Sequence, residues 1–227
     1  MNSSPVKPLL VYGFTLIYLL HAESLYAQIH SLKLCSETFQ KARQAVSDSR
    51  RANQSASFTL FSPAAQTLQQ SYQDWSDCMK GQKAPLSSFK TLTGETYDTT
   101  SLAGKILVIN FWFMGCAPCV AEMPALNKLV EKYKGKNVLF LGFSTDKADR
   151  LTPAFFEKSP FNFKIVADAR GLARSFYVMG YPTTYVVDQQ GIIRQAWMGF
   201  SDTGVSKLDP YYKAKVTIDN LLGADGK

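Results

Sequence analysis

Histidine is almost missing from this chain: His21 and His30 are the only two in 227 residues. Four cysteines complete the stock of soft metal ligands. Structural zinc takes four ligands as a rule, and Cys35, Cys78 and His30 are poorly placed to add two to any other pair. No His follows a Cys pair, so c-type haem attachment is excluded. Runs of one charge are missing too. Lys and Arg outnumber Asp and Glu by 25 to 18, for a net charge of +7, yet no basic run exceeds Arg50-Arg51. These cations read as solvated surface, and nucleic-acid binding has no support.

Long apolar runs are short in supply as well. Leu9 to Leu20 (LLVYGFTLIYLL) has 12 residues, where a membrane span needs roughly 17–25. With Lys7 ahead of it and small residues at Ala22 and Ala27, it reads as a signal-peptide core cleaved after Ala27. An uncleaved N-terminal membrane anchor is the alternative. No Cys lies near the junction, which excludes a lipoprotein anchor. Either way the remainder is expected outside the cytoplasm, where disulfides persist.

What is present divides into two parts. Residues 28–83 are expected to form a helical hairpin extension. Cys35, Phe39, Ala42 and Val46 recur at helical spacing, as do Ala65, Leu68, Tyr72, Trp75 and Met79. Ser62-Pro63 starts the second helix, Lys80-Gly81 closes it, and Asn53 to Thr59 links the two. An antiparallel hairpin sets Cys35 beside Cys78, which predicts a structural disulfide between them. Its rivals are two free buried thiols, or a second redox pair feeding the first.

Residues 84–227 read as α/β. A short hairpin spans Phe89–Thr91 and Thr96–Asp98. Ile106 to Phe113 (ILVINFWF) is a buried strand, since it is apolar without alternation. A helix from Cys116 to about Lys134 follows, then a second buried strand, Val138 to Ser144. The rest reads as a helix at Thr152–Lys158, a strand at Ile165–Ala167 and a helix at Leu172–Tyr177. A hairpin of Thr183–Asp188 and Ile192–Trp197 comes next, and a last helix runs from Asp209-Pro210 through Leu222. The alternation predicts a mixed central sheet flanked by helices on both faces.

The chemistry lies in Cys116-Ala117-Pro118-Cys119. Two thiols two residues apart, opening a helix after a buried strand, can close a small redox-active ring. The positive end of the helix favours the thiolate of Cys116, making it the attacking group. Cys119, one turn in, is then the resolving thiol.

The stretches NFWFMGCAPCVAEMP (Asn110 to Pro124) and GYPTTYVVDQQG (Gly180 to Gly191) resemble the TlpA/ResA-like branch of the thioredoxin superfamily. The resemblance covers about Pro85 to Leu222 and implies a thioredoxin fold with an insert within Asp146 to Phe163. It also implies a periplasmic or otherwise extracytoplasmic reductase of client-protein disulfides, with apocytochrome c the leading client. A membrane thiol carrier would be the electron donor, and neither cofactor nor metal is required. The family's cis-proline falls on Pro182, so Tyr181 and Pro182 become the expected docking edge for a client strand. Its acid three residues after the second Cys falls on Glu122, the expected proton handler for Cys119. The other reading of Glu122 is an acid merely favoured near a helix N-terminus. Pro124 resembles the family's helix-kinking proline, while Phe111 and Trp112 are expected as core and site wall. Gly115 stands where the family often has Trp, which is expected to open the surface around Cys116.

Three other functions compete. A peroxiredoxin needs Thr or Ser three residues before its Cys and Pro seven before, where Phe113 and Ile109 stand here. A disulfide-forming oxidant of the same fold often carries His inside the pair, and Ala117-Pro118 supplies no such charge. A client-binding module, with the hairpin docking a partner, would not need Cys116, Cys119 and Pro182 intact.

Overall fold

The computed structural model describes residues 32–49, 51, 62–199 and 209–224. The leader with its cleavage point at Ala27, both histidines and the Asn53–Thr59 link lie outside these described residues.

Ile106–Trp112 (β3) carries no polar side chain except Asn110, and every residue in it is buried. A strand of that composition belongs at the centre of a sheet, with both faces covered. The sheet order is β5-β4-β3-β6-β7, built from Lys164–Val166 (β5), Val138–Ser144 (β4), β3, Thr183–Val187 (β6) and Ile193–Met198 (β7). β3, β4 and β5 run parallel, whereas β6 and β7 are antiparallel additions. Phe89–Lys90 (β1) and Thr96–Tyr97 (β2) pair separately.

Alternation along β3 splits the core in two. Leu107, Ile109 and Phe111 enter one apolar cluster, with Phe143, Phe176 and Tyr185. Ile106, Val108 and Trp112 enter the other, with Cys119, Met123, Leu126 and Leu129 of the helix Ala117–Lys132 (α4). By the same period of two, Asn110 falls on the α4 side. The terminal helix Asp209–Ala224 (α7) packs on α4, contributing Ala214 and Ile218 to that cluster.

The other helices are short. Thr99–Leu102 (α3) is held by a capping box, with Asp98 and Ser101 bonding each other's backbone N–H groups. Pro153–Lys158 (α5) follows a 3-10 turn at Ala148–Arg150, inside the insert after β4. Arg170–Ser175 (α6) begins two residues earlier than its apolar spacing predicts.

The extension comprises a helix over residues 32–49 (α1) and Pro63–Met79 (α2). Ser62 caps α2 by accepting from Ala65 N, and Pro63 occupies its first turn. Cys35 and Cys78 are disulfide-bonded, with Cα atoms 5.7 Å apart. Phe39, Tyr72 and Trp75 form an aromatic cluster between the helices. α2 lies along β7, an edge strand of the sheet. Ser76 Oγ donates to Ala196 O at 2.7 Å, and Tyr72 Oη accepts from Met198 N at 3.1 Å. Beyond α2 the backbone continues the cover, since Gly81 N donates to Ile193 O and Ile193 N to Gln82 O, both at 2.8 Å. An open strand edge invites pairing with other chains, and here the extension occupies it. No helix among the described residues is long and apolar enough to cross a membrane.

Candidate active site

β3 ends at Trp112, and a tight turn delivers Cys116 to the start of α4. Cys116 N donates to Phe113 O at 3.1 Å, closing the turn. Asp146, from the insert, fixes the same loop: its Oδ2 accepts from Met114 N at 2.6 Å and from Ser144 Oγ at 3.0 Å. Cys116 is the N-cap of α4, and its Sγ accepts from Cys119 N at 3.2 Å. The first-turn N–H groups of a helix have no intrahelical partner, so one of them is supplied to the sulfur. The two cysteines are bonded to each other, with Cα atoms 5.2 Å apart.

Cys116 is only 5 % exposed and Cys119 1 %. The expectation that Gly115 opens the surface around Cys116 is therefore corrected. The ring of Phe113 lies 3.5 Å from where a Gly115 Cβ would stand, an ordinary van der Waals contact.

One turn beyond Cys119, Glu122 is fully buried. Its Oε1 accepts from Asn110 Nδ2 at 2.7 Å, and the same amide donates to Thr184 Oγ1 at 2.9 Å. Oε2 has no hydrogen-bond partner among the described residues. Burial pushes the Glu122 carboxyl up to about 8, against the opposing pull of the Asn110 hydrogen bond and the Lys213 charge. Such a group can hold or release a proton near neutral pH, as a general acid or base must.

The third part of the site comes from the antiparallel neighbour. Phe111 lies opposite Thr183, so the residues before Thr183 sit at the same end of the sheet as Cys116. There the Tyr181–Pro182 peptide is cis. The Tyr181 ring meets Phe113 edge to face at 5.4 Å. Trp112 backs the site from below, stacked on Phe155 at 5.7 Å and edge-on to Phe161 at 5.7 Å. The structure thus gathers Cys116, Cys119, Glu122, Tyr181 and Pro182 at one end of the sheet. Cys35 and Cys78 lie apart, in the extension.

Asn110, Thr184 and Asp146 were missed as site residues by sequence reasoning. Asn110 had a signal, being a lone amide in an otherwise apolar strand. Asp146 and Thr184 had none, because their partners are 32 and 74 positions away.

A vicinal dithiol at a helix N-terminus, on a central buried strand of this sheet order, makes the chain a thioredoxin-fold thiol–disulfide oxidoreductase. The comparisons with known proteins give the family. The AhpC/TSA family profile matches residues 80–196, and the chain belongs to that family. It is 38% identical over 122 residues to the thioredoxin-like protein YneN of Bacillus subtilis, covering 53% of this chain and 72% of that one. It is 30% identical over 153 residues to the thiol-disulfide oxidoreductase ResA of Bacillus cereus, covering 66% of this chain and 87% of that one. Among solved structures it resembles a candidate thiol:disulfide interchange protein DsbE from Chlorobium tepidum. There the TM-score is 0.54 at 24% identity, over 61% of this chain and 97% of that one. At that identity the likeness speaks for the fold.

Proposed function

We propose that the enzyme works outside the cytoplasm as a reductase of client-protein disulfides. The Cys116 thiolate attacks one sulfur of a client disulfide, forming a mixed disulfide and releasing one client thiolate. Glu122 takes the proton of Cys119, whose thiolate attacks the Cys116 sulfur. The internal Cys116–Cys119 bond forms, the second client thiolate leaves, and both client thiolates take up protons. The client gains two electrons and the enzyme loses them. A membrane dithiol carrier restores the reduced pair. Tyr181 and Pro182 form the edge on which the client strand docks, and Cys35–Cys78 serves as a structural bond.

The observation that carries this reading is the buried Glu122 carboxyl one turn from Cys119, with one oxygen unpartnered and its proton affinity raised to about 8. An acid merely favoured by a helix N-terminus has no reason to be buried, because that preference is satisfied at the surface. The assignment to apocytochrome c maturation extends the resemblance to the TlpA/ResA-like branch. The domain scheme proposed with it is a leader over 1–27, the extension over 28–83 and the catalytic domain over 84–227.

The test is the redox state of Cys116 and Cys119 in the cell, trapped by acid quench, alkylation and mass spectrometry. A mostly reduced pair is expected. A mostly oxidised pair would replace the reductase reading with that of a disulfide-forming oxidant.

A further inference from the structure

The extension touches the proposed docking loop at one point and the strand that supports it at another. At its start, Ser36 of α1, itself buried, donates from Oγ to Tyr177 O at 3.2 Å. Tyr177 has φ of 51°, a left-handed conformation that a bulky side chain adopts only when its surroundings impose it. At the other end, Tyr72 of α2 accepts the outward N–H of Met198. Met198 is paired with Thr183 across the ladder, and Gly199 N donates to Pro182 O at 2.8 Å. The thioether of Met198 also faces Gly180 so closely that a Cβ there would lie 2.7 Å from its sulfur. Tyr72 therefore holds the strand end on which Gly180, Pro182 and Thr183 rest. Ser36 adjoins Cys35, whose bond to Cys78 staples α1 to α2.

We propose that Ser36 and Tyr72 are positioning residues for the Tyr177–Pro182 loop, so that the helical extension sets how well a protein client docks without altering the thiol chemistry. The hydrogen bonds of both residues go to backbone groups. Their contacts converge on backbone groups of the loop and of its supporting strand, the parts that must be fixed for a client strand to pair. Both side chains lie ahead of residues 80–196, the part of the chain that the family profile matches. The proposal rests on the reading of Tyr181 and Pro182 as the docking edge.

The test uses the full chain with S36A, Y72F and the double variant. Each removes a hydroxyl while keeping the aromatic packing of Tyr72 against Phe39 and Trp75. Two substrates are compared, a protein disulfide such as insulin and a small one, bis(2-hydroxyethyl) disulfide, which needs no strand pairing. Losing two net hydrogen bonds should raise KM for insulin about tenfold in the double variant, with kcat and the rate with the small disulfide within about twofold. Equal loss with both substrates would reduce the two residues to structural ones, and no loss with either would remove them from the site. P182A in the otherwise native chain separates the premise from the proposal. An unchanged insulin KM there would overturn the docking-edge reading, and the proposal with it. A raised KM in P182A with no change in S36A/Y72F would overturn the proposal alone.

Discussion

Asn110 Nδ2 and Glu122 Oε1 meet at 2.7 Å between the central strand and the helix that carries the reactive thiols. Asn110 gives its remaining amide proton to Thr184, which orients it, while Glu122 Oε2 has no partner among the described residues. The carboxyl titrates at about 8 in the fold, against a reference of 4.5. Below the reference value both states are protonated and nothing is lost. Between the two values the unfolded chain releases a proton that the native one retains, so stability falls as pH rises, and levels off above about 8. Native protein should thus lose on the order of a few kcal/mol between pH 5 and pH 8 from this group. Denaturant unfolding at a series of pH values checks it. In E122Q this part of the slope should vanish, and an unchanged slope would show that Glu122 is ionised in the fold.

The Asn110 hydrogen bond opposes the rise in the Glu122 carboxyl. Removing it in N110A should therefore move the carboxyl still higher. The pH at which the resolving step reaches half its maximal rate should shift upward in stopped-flow measurements of mixed-disulfide decay. A shift downward, or none, would mean that the amide does not favour the charged form and only fills space.

Asn110 also marks the boundary of what the residues disclose by themselves. The strands were legible because apolar runs such as Ile106 to Trp112 survive only in a sheet interior, and the thiol pair because its spacing is local. The Asn110–Glu122 contact follows from one further step, the period of two along β3. The Tyr72–Met198 contact spans 126 positions and leaves no local trace. The start of α6, two residues ahead of its apolar spacing, left no mark because Ala169 offers no capping side chain. α3 was missed although Asp98 and Ser101 do spell a capping signal, since four residues are too few for an apolar period to show.

The two active-site thiols should separate by trapping. C119A leaves the attacking thiol but no group to resolve it, so mixed disulfides with clients should accumulate on non-reducing gels. C116A leaves only a thiol that is 1 % exposed and should trap nothing. The reverse pattern would exchange the roles of Cys116 and Cys119.

The bond between Cys35 and Cys78 closes a separation of 43 residues, which in the chain-entropy model stabilises by about 4 kcal/mol. The hairpin it closes buries Leu32, Phe39, Trp75 and Met79 in the core shared with the sheet, so its loss should be felt beyond the extension. C35S/C78S should therefore lower the denaturation midpoint of the whole protein in a single transition. If only a separate early transition appears, the extension unfolds independently and its packing on β7 contributes little to the catalytic domain.

Gly142 of β4 lies opposite Asn110 in the parallel ladder, directly under the aromatic wall. A Cβ there would stand 2.9 Å from Ile165 Cδ1, 2.9 Å from Phe161 Cε1 and 3.2 Å from Trp112 Nε1. Two of these three neighbours are rings packed against each other, so they cannot both turn aside. G142A should cost about 1–3 kcal/mol, as overpacking of a filled interior does, and should shift the Trp112 contribution to the near-ultraviolet circular dichroism. Because Trp112 immediately precedes the loop that delivers Cys116, the same variant should also slow the first attack on a small disulfide. A variant as stable and as fast as the native enzyme would show that the wall yields, and that Trp112 does not transmit its position to the reactive thiol.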